Sequence, residues 1–168
     1  MLRKRGAIAL LAALAAALLY VPTTSTLSAA GSDSAKLDMW RPGDPGQRLL
    51  MRGRVSSDTG QPVANATLYF RQADGAGTYT EQYQGSLQTG ADGSYVFGTA
   101  LPGQYSSTKH IHVVVTHDDY SDVHTEIRFK GDPNLEGGAY DDNAVVTEEA
   151  TIDGARVLLG EFNIVLQR

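Results

Sequence analysis

The chain has 168 residues, 42% of them hydrophobic, no cysteine, and a formal net charge of −5. That length suits one folded domain, and the acidic balance argues against nucleic acid or an anionic membrane surface as a partner. With no disulfide to close a loop, stability must come from a packed core.

Arg3, Lys4 and Arg5 precede an apolar run from Ala7 to Val21, and Ser28-Ala29-Ala30 supplies small residues ahead of Gly31. This is the layout of a secretory signal peptide over residues 1–30, a helix ahead of the domain, and it predicts an exported, extracellular product. The apolar run is shorter than the ~20 residues a membrane-spanning helix needs, so no stable membrane insertion is expected after processing. Cleavage removes three basic residues and no acidic one, which moves the charge from −5 to −8. Residues 31–48 read as a lead-in segment: Gly31 to Ala35 is small and polar, and Trp40 to Gly46 is rich in turn formers around the only tryptophan.

Residues 49–168 read as the folded domain. Leu49 to Val55 is a strand, followed by a Gly- and Pro-punctuated turn over Ser57 to Pro62, and Val63 to Phe70 alternates as a half-buried strand does. Gln72 to Thr78 is a loop that delivers Tyr79. Gly90-Ala91-Asp92-Gly93 is a turn into a short strand at Ser94 to Phe97, and Leu101-Pro102-Gly103 closes that unit before Tyr105. Ile111 to Thr116 is the expected central strand, paired with Val123 to Phe129, which Gly131-Asp132-Pro133 stops. Val145-Val146, Ile152 and Arg156 to Leu166 supply the later strands. No 3.6-residue period is sustained beyond the N-terminal run. Short strands with frequent turn signals predict an all-β antiparallel sandwich.

The chemistry concentrates at His110-Ile111-His112. Alternate residues of a strand share a face, so the two imidazoles point together and can hold one metal ion, with Tyr105 close enough to join. A tyrosine ligates only where a strongly acidic cation displaces its proton. Two tyrosinates would favour a trivalent ion, Fe(III) ahead of Cu(II). Other readings of the same residues stay open at this point. Tyr79 can be a packing aromatic and Tyr105 a corner tyrosine bonded to backbone. His117 and His124 read as surface residues, and Asp118-Asp119 and Asp141-Asp142 as solvated loop acids.

Several ordered motifs resemble the intradiol ring-cleavage dioxygenases, the catechol and protocatechuate dioxygenase family, and in particular its short exported branch. GRVSSDTGQPVANATLYFRQADGAGTY (Gly53 to Tyr79) is similar to the family's opening strand pair with its Gln-Ala-Asp and Gly-x-Tyr. TGADGSYVF (Thr89 to Phe97) matches its Asp-Gly turn, and LPGQY (Leu101 to Tyr105) its Pro-Gly-x-Tyr. HIHVVV resembles the His-x-His strand, and HTEIRFKGDP (His124 to Pro133) the segment ending in Gly-Asp-Pro.

The resemblance implies a non-haem Fe(III) held by Tyr79, Tyr105, His110 and His112. It also implies a catechol-type substrate, O2 as co-substrate, and cleavage between the two hydroxylated carbons to a muconate-type diacid. Tyr105 would take a catechol proton. Two positions depart from the family pattern. Ser107 stands where the family usually has an arginine, and Glu126 stands where it has a glutamine, which would put a charge beside the metal. Two other expectations compete with the dioxygenase: a non-catalytic sandwich module of the carboxypeptidase-regulatory or transthyretin type, and the same site holding copper.

Overall fold

A computed structural model describes residues 36–104, 107–135 and 143–168. The signal-peptide helix expected over residues 1–30 lies outside the described residues. Among the described residues the chain forms strands and no helix. In order these are β1 (Lys36–Asp38), β2 (Arg48–Ser57), β3 (Thr67–Ala73), β4 (Tyr79–Gln88) and β5 (Ser94–Ala100). They are followed by β6 (His110–His117), β7 (Tyr120–Arg128), β8 (Glu148–Ile152), β9 (Ala155–Glu161) and β10 (Ile164–Leu166).

Two sheets form. One runs β1-β5-β2-β9-β8 with β10 also against β2, and the other runs β4-β3-β6-β7. Alternation explains why they face each other. Leu49, Met51 and Val55 of β2 and Tyr95 and Phe97 of β5 turn inward from the first sheet. Leu68 and Phe70 of β3, Ile111, Val113 and Val115 of β6, and Ile127 of β7 do so from the second, and all of these are essentially buried. Phe70 stacks on Phe97 with ring centroids 4.0 Å apart, bridging the layers at mid-core. A fully buried side chain of this size contributes about 1.5–3 kcal/mol, more than a net backbone hydrogen bond, so the inner faces fix how the sheets dock.

The wholly antiparallel sandwich expected from sequence is corrected. The four-stranded sheet is antiparallel throughout, but β1 pairs with β5, and β9 and β10 pair with β2, in parallel. Side-chain alternation reports which face is buried and carries nothing about the direction of the neighbouring strand. The lead-in segment contributes β1, and Met39 enters the core. Val63 to Ala66 forms a turn rather than the start of β3, with Asn65 at φ 58°, a conformation asparagine tolerates. Val145 forms an isolated parallel bridge with Phe129 rather than a strand. The stretch after Tyr79 forms β4, an edge strand that sequence reading did not find.

Candidate metal centre

The site lies on the outer face of the four-stranded sheet, where residues directly opposite in the ladder share a face. Arg71 of β3 stands across from His112 of β6, and His112 across from Glu126 of β7. One step along the sheet, His110 stands across from Arg128. Ile111 points the other way into the core, so the His-x-His spacing delivers both rings to one place.

Each imidazole is held from behind. His110 Nδ1 lies 2.8 Å from the carbonyl oxygen of Thr108, so it carries the proton and donates it, leaving Nε2 with a lone pair. His112 Nδ1 lies 3.4 Å from Glu126 Oε1 and is turned the same way. The two Nε2 atoms then face each other at 3.1 Å, with ring planes at 82°. The Tyr79 hydroxyl oxygen is also 3.1 Å from His112 Nε2. Two imidazole lone pairs directed at one point repel unless a cation occupies the space between them, and a phenol oxygen completes a donor set for a hard, acidic metal ion. The residues present therefore fit a metal.

Local sequence explains how Tyr79 gets there. Gln72 points inward and is fully buried; its amide donates to the carbonyls of Ala73 and Ala100, and Thr99 donates to its oxygen. That ties the end of β3 to the opposite sheet and accompanies a register shift between Arg71 and Ala73. Asp74 then organises the loop, its carboxylate accepting the N–H groups of Ala76 and Thr78, each at 2.9 Å. Gly103 packs so closely on this loop that a side chain there would collide with Gly75 and Gly77, and its N–H donates to the Asp74 carbonyl at 2.8 Å. The loop that carries Tyr79 and the segment that leads to Tyr105 are thus docked on each other.

The start of β6 is fixed by the Gly-Asp-Pro segment. Buried Asp132 accepts the Lys109 N–H at 2.5 Å through one carboxylate oxygen and the Asn134 N–H at 2.9 Å through the other. His110 follows directly and is buried, whereas the His112 side chain keeps 42% of its exposure and opens to solvent. A shallow groove runs from His112 past His124, Glu126 and Arg128 to Asn143 and Phe162.

Electrostatics favour neutral imidazole beside ionised carboxylate. Burial and the neighbouring His110 push His112 below the ordinary histidine value, against the pull of Glu126, and Arg71 adds to the shift. Burial alone would raise the Glu126 carboxyl. Hydrogen bonds from Arg128 at 2.7 and 3.1 Å, with help from the Arg128 charge, outweigh it and hold the carboxyl below the ordinary value. A deprotonated, neutral imidazole is the form that ligates metal.

Tyr79, His110 and His112 are thus brought together, and Glu126 joins them through the far nitrogen of His112. Among the described residues, His110, His112 and Glu126 also form a group of ligand atoms lying within 4.8 Å of one another. Tyr105 lies outside the described residues, as do Asp141 and Asp142. Ser107 is exposed. His117 sits in the β6–β7 turn region, where its Nδ1 accepts the Asp119 N–H, and His124 stands across from Val114, one row beyond His112. Sequence reading did not find Arg71, Arg128 or the role of Asp132. The Glu126-x-Arg128 spacing, two like-facing residues of opposite charge on one strand, was the available signal for Arg128.

Fold and site together define a two-sheet β-protein with a tyrosine–histidine cluster on one outer face whose donors fit a metal ion. The family model described as Dioxygenase matches residues 20–168. Catechol 1,2-dioxygenase 2 of Acinetobacter lwoffii is 30% identical over 140 residues, covering 67% of this chain and 50% of that protein. The protocatechuate 3,4-dioxygenase beta chain of Burkholderia cepacia is 33% identical over 160 residues, covering 74% of this chain and 67% of its own length. Among solved structures, the dioxygenase domain of a dioxygenase–carbohydrate-binding fusion from Streptomyces sp. SirexAA-E superposes with a TM-score of 0.66 at 28% identity. That match covers 84% of this chain and 95% of the domain. The chain belongs to the intradiol ring-cleavage dioxygenase family. It spans half the length of the first of these relatives and two thirds of the second.

Proposed function

We propose that this chain is an exported, Fe(III)-dependent intradiol dioxygenase that opens catecholic rings between the two hydroxylated carbons with O2. One observation supports this most: His112 Nε2 lies 3.1 Å from both His110 Nε2 and the Tyr79 hydroxyl oxygen, with each Nδ1 engaged from behind. His110, His112, Tyr79 and, through the family resemblance, Tyr105 would hold the metal. When bound, ferric iron supplies the Lewis acidity that makes both catechol hydroxyls acidic and the ring electron-demanding. The protein residues divide the remaining work. Tyr79, wedged between its loop and β6, stays a fixed phenolate donor. Tyr105 takes a catechol proton as substrate binds. Buried His110 anchors the inner wall, and His112 opens on the groove side where a ring can enter. Glu126, clamped by Arg128, keeps the His112 ring in the tautomer that directs Nε2 to the site, a positioning role.

The test is direct. The iron-loaded protein should consume one O2 per catechol and yield the ring-opened diacid with an oxygen atom from O2 in each new carboxyl group. Saturable catechol binding without O2 uptake, or a product cleaved outside the diol, would refute the proposal.

A further inference from the structure

We infer that Arg71 docks a carboxylate carried on the aromatic substrate, so that carboxylated catechols are preferred over catechol itself. This rests on the dioxygenase reading above and deepens it. Arg71 stands directly across the ladder from His112, and its guanidinium carbon lies 4.9 Å from the centre of the Tyr79 ring. It is exposed, and among the described residues no carboxylate pairs with it. Other arginines have such partners: Arg48 has Asp38, Arg52 has Glu161, Arg156 has Glu149, and Arg128 has Glu126.

Glu126 and Arg128 pair with each other, which leaves Arg71 as a cation beside His112 with no carboxylate of its own among the described residues, on a chain that is acidic overall. The cation–π contact with Tyr79 holds the guanidinium in place and leaves its N–H groups for a planar anion. The Tyr79 hydroxyl marks where substrate hydroxyls belong. Arg71 lies over the face of the Tyr79 ring and beside His112, within reach of a charged substituent on a ring bound at the site. A carboxylate there meets a planar donor fork at a partly solvated site, an arrangement that discriminates by roughly tenfold.

The experiment measures calorimetric dissociation constants for 3,4-dihydroxybenzoate and for catechol on the iron-loaded full chain without O2, and kcat/KM for both in air. The expected result is a preference for the carboxylated ligand that shrinks about tenfold in Arg71→Gln, recovers in part in Arg71→Lys, and fades as salt rises. A ratio unchanged by Arg71→Gln, or equal weakening of both ligands as if Arg71 served only Tyr79, overturns the inference. Catechol binding with no preference for the carboxylate overturns it alone. Failure of either ligand to bind the unaltered chain overturns the dioxygenase reading with it.

Discussion

Asp132→Ala should loosen the metal centre without touching a donor atom. Asp132 is buried and its two oxygens accept the N–H groups of Lys109, immediately before His110, and Asn134. A hydrogen bond to a charged group contributes about 1.5–3 kcal/mol, and an orphaned buried N–H adds its own cost. Two such bonds, one toward a partly open loop, put the loss at about 3 kcal/mol. For a domain of this size that corresponds to a fall in Tm of roughly 10 °C. Asp132→Asn keeps an acceptor for Lys109 and should lose only about 1 kcal/mol. The assay is thermal unfolding of the metal-free protein by circular dichroism, with iron stoichiometry after dialysis as a second readout. Both should fall in the order wild type, Asp132→Asn, Asp132→Ala. An Asp132→Ala protein that melts within about 2 °C of wild type and retains the same iron would refute the argument that this carboxylate fixes the start of β6.

Gly103→Ala forces a methyl group into the loop that carries Tyr79, so it should destabilise by about 1–3 kcal/mol and weaken iron retention, read by the same melts and metal analysis. The acid limb of stability has a named contributor in Asp44. Its partial burial opposes ionisation, but hydrogen bonds from Tyr83, the Arg41 N–H and Gln82 outweigh this and hold its folded value below the ordinary 3.8. A lowered folded value stabilises above the unfolded value and is lost as pH falls through the folded one. Asp44→Asn should therefore flatten the loss of Tm below pH 4, and an unchanged acid slope would exclude the contribution. Burial and Asp44 both push the Tyr83 hydroxyl up, so Tyr83→Phe should remove a loss of stability at strongly alkaline pH.

What the sequence made legible follows from what strand periodicity encodes. The His-x-His pair, the Gly-Asp turns and the alternating cores of β2, β3 and β6 each leave a local pattern. β4 leaves none, because Thr80, Glu81 and Gln82 face solvent on an edge strand and only Tyr83 and Leu87 are buried. The parallel partners of β2 come from more than a hundred residues downstream, and no local pattern names them. At the site, the His-x-His spacing that brings His110 and His112 together was readable, whereas the supporting contacts were not. Gln72 reads as a polar loop residue yet ties β3 across the core to Ala100, and Asp132 reads as a strand stop yet bonds to Lys109. Arg71 carries no motif at all and gains meaning only when pairing sets it beside His112 and over Tyr79.

Titration of the metal-free chain with Fe(III), followed by visible absorption, tests the central claim most directly. One equivalent should saturate a tyrosinate-to-iron charge-transfer band that weakens in Tyr79→Phe, vanishes in the His110→Ala/His112→Ala double variant, and shifts when catechol is added without O2. Iron uptake without a saturation point, or a band indifferent to Tyr79 and to both histidines, would contradict it.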